Sequence, residues 1–174
     1  SEHSQKESTE KTVKILLEAG ADVNIKDDFG FQAIHYAIKK STLNTIKMIV
    51  EAGYDINGTN NEGLMTPLNY AINCIEMFGT INVVKTLIDL GANVNTRNSK
   101  GETILHNLIS NKITHDTIII TKMLVEAGAN INEIDSHSNS ILHLIFKEYP
   151  ITNNVENMIK TENLIKILVG LRSP

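Results

Sequence analysis

One cysteine is too few for an internal disulfide, and Cys74 has neither a CxxC partner nor a histidine at zinc-ligand spacing. A reducing compartment, cytoplasmic or nuclear, is therefore expected. No apolar run approaches the roughly 20 residues that span a bilayer, and the N-terminus lacks a basic segment followed by an apolar one. Neither a membrane span nor a secretory leader is expected. Charge of one sign is scarce too. Lys+Arg 16 against Asp+Glu 20 leaves a net charge of -4, and like-charge runs such as Asp27-Asp28 and Lys39-Lys40 stop at two residues. That speaks against nucleic acid and anionic membrane as partners. The chain has no Gly-x-Ser-x-Gly elbow, no phosphate-cradling Gly-x-x-x-x-Gly-Lys-Ser/Thr loop and no Gly-x-Gly-x-x-Gly turn. Its six histidines do not fall in a metal-ligand pattern. These absences predict a chain that is not an enzyme and takes no metal, cofactor or small-molecule substrate.

What is present is a repeat. Hydrophobic residues make up 41% of the 174 residues, enough for a continuous core, and one segment returns four times. Leu16-Leu17-Glu18-Ala19-Gly20-Ala21-Asp22-Val23-Asn24 is matched by Ile49 to Asn57, by Leu87 to Asn95 and by Leu124 to Asn132. Each copy reads as an apolar helix that ends at a glycine able to adopt the left-handed C-cap conformation. An apolar residue (Val23, Ile56, Val94, Ile131) then re-enters the core before an asparagine starts a turn. About ten residues after each glycine comes a second signature: Gln32-Ala33-Ile34-His35, Thr66-Pro67-Leu68-Asn69, Thr103-Ile104-Leu105-His106 and Ser140-Ile141-Leu142-His143. There a hydroxyl can cap a helix, and Pro67 sits at a first-turn position. The unit is turn, helix, short link, helix.

These two phased motifs resemble the ankyrin repeat, marked by Thr-Pro-Leu-His opening its first helix and Gly-Ala-Asp-Val-Asn closing its second. The resemblance implies an all-α solenoid of stacked helix pairs joined by β-turn or hairpin loops, forming a single domain over residues 1–174. We divide it into a partial repeat 1–26 and repeats 27–59, 60–97, 98–134 and 135–174. In the partial repeat a second helix is expected near Glu10 to Glu18, with the polar stretch before it frayed or the remnant of a first helix. The repeat glycines Gly20, Gly53, Gly91 and Gly128 are 33, 38 and 37 residues apart, so only the first interval has the family period. The extra residues map near Met77 to Thr80, Ile113 to Asp116 and Glu148 to Asn157, where Pro150 must end a helix. Met65 is an added residue before Thr66, and Asn69 stands where the family has histidine. The chain opens at Ser1 and closes on Leu171-Arg172-Ser173-Pro174, from which a piece of a longer protein is expected.

For such repeats function lies on exposed side chains that stacking does not need. The resemblance implies binding of a protein partner through a concave face built from turn tips and first-helix surfaces. Carried onto this chain, the tips are Asp28, Phe29 and Phe31; Asn61, Glu62 and Leu64; Ser99, Lys100 and Glu102; and Ser136, His137 and Asn139. The helix faces are Lys39 and Lys40, Asn73 and Cys74, Ser110 and Asn111, and Lys147 and Glu148. Phe29 and Phe31 stand out, because aromatics are 5% of the chain and dominate interface hot spots. One of the two rings can instead fold back on a neighbouring repeat. Tyr54, in place of the usual alanine, either fills space or protrudes. The inserted loops are an alternative interface. His35, His106 and His143 are read as structural, bonding their own turns, and Cys74 as a structural thiol. Asn24 resembles the asparagine that ankyrin-directed hydroxylases modify. Abundant Ile, Asn and Lys with uneven repeats resemble the ankyrin proteins of poxviruses and intracellular parasites, which engage host proteins, although no F-box-like C-terminal segment is found. The competing reading is a regulatory or anchoring segment of a larger protein.

Overall fold

The structure, a computed structural model, describes residues 2–59, 65–74, 79–98, 100–111, 113–148 and 155–170. Its described residues form helices and two isolated β-bridges, Arg97 with Thr103 and Ile134 with Ser140, and contain no strand. The chain divides into two compact units, Ser1–Ala92 and Asn93–Pro174.

The first unit holds α1 (Glu2–Glu18), α2 (Ala33–Lys39), α3 (Leu43–Glu51), α4 (Pro67–Asn73) and α5 (Thr80–Asp89). The short helices α2 and α4 pack on one another, and the row α1, α3, α5 packs beside them. The second unit holds α6 (Ile104–Ser110), α7 (His115–Glu126), α8 (Ile141–Glu148) and α9 (Val155–Gly170), with α6 against α8 and α7 against α9. The helices other than α1 and α9 are too short to persist alone in water, so the apolar faces they bury on their neighbours hold them. Ile34, Ile46, Leu68, Ile72 and Leu87 are fully buried in the first unit, and Ile104, Leu105, Leu108, Ile120 and Leu124 in the second. Burying one such side chain contributes roughly 1.5–3 kcal/mol.

Local chemistry sets the helix ends. Gly20, Gly53, Gly91 and Gly128 all have φ between 86° and 97°. At each, the glycine N–H and the following N–H bond back to carbonyls of the last helical turn, as Gly20 does to Leu17 and Ala21 to Leu16. That pair of hydrogen bonds satisfies carbonyls the helix leaves open. Asp22, Asp55, Asn93 and Asn130 then accept a hydrogen bond from the N–H two residues on, which fixes the turn. Val23, Ile56 and Val94 are buried as the pattern requires, and Ile131 is half-buried. Thr66, Thr103 and Thr114 cap α4, α6 and α7, and Pro67 occupies the first turn of α4.

One expectation is corrected. The helix expected near Glu10 to Glu18 begins at Glu2, because Glu2 to Thr9 contains no Gly or Pro to break it and is rich in Glu, Gln and Lys. Of the inserted segments, Ile113 is a core residue at 3% exposure, and Thr80 is buried with its hydroxyl donating to the Cys74 carbonyl. Those residues extend the packing between helices. Met77, Phe78 and Tyr149 to Asn154 lie outside the described residues.

Candidate functional site

In the first unit, the turn before α2 is built on Asp27. Its Oδ1 accepts hydrogen bonds from the N–H groups of Phe29 and Phe31, both at 2.9 Å, while its own N–H donates to the Phe31 carbonyl. Gly30, at φ 80°, turns the chain back. Tyr36, one turn into α2, donates its hydroxyl to Asp27 Oδ2 at 2.5 Å. That bond holds the Asp27 carboxyl below the usual carboxylate range and raises the Tyr36 phenol.

This frame leaves the two phenylalanines in different surroundings. Phe29 is 83% exposed at the tip, whereas Phe31 folds back, its ring centroid 5.5 Å from His35, 5.6 Å from Tyr70 and 6.3 Å from Tyr36. His35 meets Tyr70 edge-on at 5.1 Å, and burial pushes its imidazole below the ordinary value. Three of the eight aromatic residues, Phe31, Tyr36 and Tyr70, thus cluster in the first unit, with Phe29 exposed on the same turn as Phe31. Asp28, Lys39 and Lys40 are exposed. Tyr36 and Tyr70 were not among the sequence candidates. Their position, directly after His35 and Asn69 on successive first helices, is the clue that would have found them.

The second unit repeats the frame twice with different side chains. Asn98 Oδ1 accepts from Lys100 and Glu102 N–H, and Asp135 Oδ1 from His137 and Asn139 N–H. Hydrogen bonds from the Asn139 amide and these N–H groups hold Asp135 down to about 2. The two tips are tied by Ser136 N–H donating to the Lys100 carbonyl at 3.1 Å. Arg97 reinforces the tie, donating to the Gly101 and Ile134 carbonyls and pairing with Glu133. Lys100, Ser136 and His137 are exposed at these tips, while Glu102 is half-buried and accepts from the Asn98 amide at 2.7 Å. Asn61, Glu62, Leu64 and Ser99 lie outside the described residues.

The remaining candidates have structural surroundings. His106 and His143 pair Nδ1 with the hydroxyls of Thr103 and Ser140, both at 2.8 Å, and His106 Nε2 reaches the Asn139 carbonyl at 3.0 Å. His35 Nδ1 accepts from Gln32 N–H. Tyr54 is buried, and that burial pushes its phenol up to about 12. The half-buried Cys74 thiol is raised by burial, opposite to what a reactive thiolate needs. Among the described residues no three His, Cys, Asp or Glu side chains converge as metal ligands, and no helix is long and apolar enough to cross a membrane.

Comparison with known proteins adds to this geometry. The family profile described as ankyrin repeats (3 copies) matches residues 3–98. No curated protein matches the chain. Among solved structures, an ankyrin repeat domain from Acinetobacter baumannii AYE is similar with a TM-score of 0.71 and 29% identity, over 88% of this chain and 73% of that one. The ankyrin repeat domain of Bcl-3, a unique member of the IkappaB protein family, has a TM-score of 0.66 and 22% identity over 85% of this chain. The chain spans about half, 55%, of that domain.

Proposed function

The chain belongs to the ankyrin-repeat family, and from that premise we propose that it is a binding module whose first unit recognises a protein partner through the aromatic surface around Phe29. Ankyrin repeats in general mediate protein–protein interaction. The observation that carries the finer reading is the exposed ring of Phe29 at the tip of a turn whose other phenylalanine, Phe31, clusters with Tyr36 and Tyr70, in a chain otherwise poor in aromatic residues. Such rings supply large contact area with few rotatable bonds, and they head the residues whose removal costs binding most. Phe29 is the anchor, since its exposed ring contributes nothing to the core. Asp28, its sequence neighbour, and the exposed Lys39 and Lys40 at the end of α2 supply charge to the same unit. Lys100, Glu102, Ser136 and His137 are the corresponding tip residues of the second unit.

The finer partner class is a host protein, met in cytoplasm or nucleus by a factor of the poxvirus or intracellular-parasite type. Abundant Ile, Asn and Lys and the uneven repeats support it. Asn24 is the proposed hydroxylation site; its side chain lies in an exposed turn. A 16 Da gain at Asn24 after treatment with an asparagine hydroxylase is expected, and an unmodified Asn24 would remove that role.

The test is affinity capture with the parent and a Phe29→Ala variant of unchanged circular dichroism. Loss of one exposed hot-spot ring costs about 2 kcal/mol, roughly thirtyfold in affinity. A partner retained by the parent and lost by the variant is the expected result. Equal retention by both would refute the aromatic surface. A Phe29-dependent partner encoded by the same genome as this chain would refute the host-directed reading and favour a regulatory or anchoring segment.

A further inference from the structure

We propose that Asn57 is a site of spontaneous covalent modification, where attack by the neighbouring backbone nitrogen converts the asparagine to aspartate and isoaspartate and releases the turn after α3 from the end of α5. Four asparagines follow the repeat glycines. Asn24, Asn57, Asn95 and Asn132 stand at the same place in successive units, and the residues after them are Ile25, Gly58, Thr96 and Glu133. An asparagine closes a five-membered succinimide ring when the next backbone nitrogen attacks its side-chain carbonyl carbon, and a side chain on the attacking residue hinders that approach. Of the four following residues, Gly58 alone has none. No other asparagine in the sequence precedes a glycine.

The fold explains the glycine. Asp55 Oδ1 accepts from the Asn57 N–H at 3.0 Å, and the Asp55 carbonyl accepts from the Gly58 N–H at 2.9 Å, which winds residues 55–58 into a tight turn. A Cβ on residue 58 would stand 3.0 Å from that carbonyl oxygen, so a larger residue fits only if the turn shifts. The unhindered nitrogen is thus a consequence of how closely the turn is wound. Its target is within reach as well. Asn57 is exposed, and its Nδ2 donates to the Gly91 carbonyl at 3.4 Å, long for an N–H···O bond. Asn98 and Asn139 precede serine, also a small residue, but their amides are held at shorter range, by Glu102 at 2.7 Å and by Asp135 at 2.9 Å.

The Gly58 N–H first leaves the Asp55 carbonyl and gives its proton to hydroxide. The nitrogen then bonds to Asn57 Cγ, the Cγ–Nδ2 bond breaks, and Nδ2 departs as ammonia after taking a proton from solvent. Water next adds to one of the two ring carbonyls. Opening between Cγ and the nitrogen restores the main chain and leaves aspartate. Opening at the main-chain carbonyl carbon of residue 57 leaves isoaspartate, whose backbone runs through the former side chain. Each product is asparagine plus water minus ammonia. Neither product's carboxylate carries the N–H that the Gly91 carbonyl accepts, and that carbonyl closes the last turn of α5. Asn95 shows the corresponding bonds in the second unit, where its Nδ2 donates to the Gly128 carbonyl at 3.0 Å and its Oδ1 accepts from the Asn130 N–H at 2.8 Å.

The test incubates the folded full chain at mildly alkaline pH, where the backbone nitrogen loses its proton more readily, and follows its peptides by mass spectrometry that separates aspartate from isoaspartate. The expected result is a gain of about 1 Da at position 57, with isoaspartate present, roughly tenfold faster than at Asn24, Asn95 or Asn132 in the same sample. Conversion at position 57 no faster than at those three would overturn the site, and so would a gain in the same peptide that survives Asn57→Gln. The effect on the fold is read by hydrogen exchange in Asn57→Asp, which carries one product from the outset. Amides of Leu90, Gly91 and Ala92, bonded into the end of α5, should lose about fivefold in protection, the equivalent of one hydrogen bond. Those around Gly128 should keep the parent's value. Unchanged exchange at the end of α5 would overturn the release of the turn.

Discussion

His35 and His106 occupy equivalent places in the repeat, yet the structure predicts that replacing each with asparagine has different consequences. His106 Nδ1 accepts from Thr103 N–H at 3.3 Å, so Nε2 carries the proton and donates to the Asn139 carbonyl at 3.0 Å. Asn69 shows what asparagine does at this position: its amide still reaches its capping hydroxyl, Thr66 Oγ1, at 3.3 Å. The shorter side chain at position 106 would keep that local bond and lose the one to Asn139. The loss comprises one hydrogen bond, about 1 kcal/mol, and a stranded carbonyl, roughly 1–3 kcal/mol. His106→Asn should therefore cost about 2–4 kcal/mol. His35 differs, because its buried Nε2 has no hydrogen-bond partner among the described residues. His35→Asn forfeits ring contacts with Phe31 and Tyr70, about 1 kcal/mol, but also removes an unsatisfied N–H. The assay is urea unfolding followed by circular dichroism, with hydrogen exchange resolved by mass spectrometry to report each unit. At an m-value of about 2 kcal/mol/M, the second unit's midpoint should fall by about 1–2 M in His106→Asn. A His35→Asn cost equal to or above that of His106→Asn would refute the reasoning.

Three further outcomes are expected. Because burial depresses His35, the unfolded chain takes up its proton first; first-unit stability is full above about pH 6.5 and declines as pH falls through and below it. His35→Asn should flatten that decline between pH 7 and pH 5 in urea midpoints, and an unchanged slope would exclude His35 as its source. Gly101 has φ 68°, and an added Cβ would stand 3.2 Å from Ser136 N, so Gly101→Ala should cost about 2–3 kcal/mol. Gly20→Ala, with open space around it, should cost about 1 kcal/mol, and equal midpoints for the two variants would contradict this. Thr45→Val should raise first-unit stability by about 1 kcal/mol by removing an unpaired buried hydroxyl, whereas a drop would show that the hydroxyl is satisfied.

The repeat was legible because its punctuation is backbone chemistry. A glycine followed by an apolar residue three places on forces the left-handed cap and the return to the core, whatever lies around it. The capping hydroxyls and Pro67 were readable for the same reason. The run from Glu2 to Thr9 was not, since a polar sequence with good helix formers reads equally as coil or helix until a neighbour supports it. Among the candidate site residues, exposure at Phe29 followed from its place at the tip. Which way Phe31 would turn did not, because it depends on Tyr70, a residue 39 positions away that the fold brings to 5.6 Å. Arg97 was invisible for a similar reason: its partners Glu133 and Ile134 belong to the next turn.

Tyr54 donates its hydroxyl to Gln32 Oε1 at 3.1 Å, and the Gln32 amide nitrogen donates to the Asn24 carbonyl, also at 3.1 Å. Both residues depart from their sibling repeats, which carry Thr66 and Thr103 in place of Gln32, and Ala92 and Ala129 in place of Tyr54. Borrowing residues from sibling repeats is ordinarily a stabilising strategy. Here Gln32→Thr alone strands a buried phenol, and Tyr54→Ala alone leaves a void above an amide with half its partners gone. The two positions are coupled, so an engineer must exchange them together, and a lineage reverting one at a time would have to pass through a weakened ancestor.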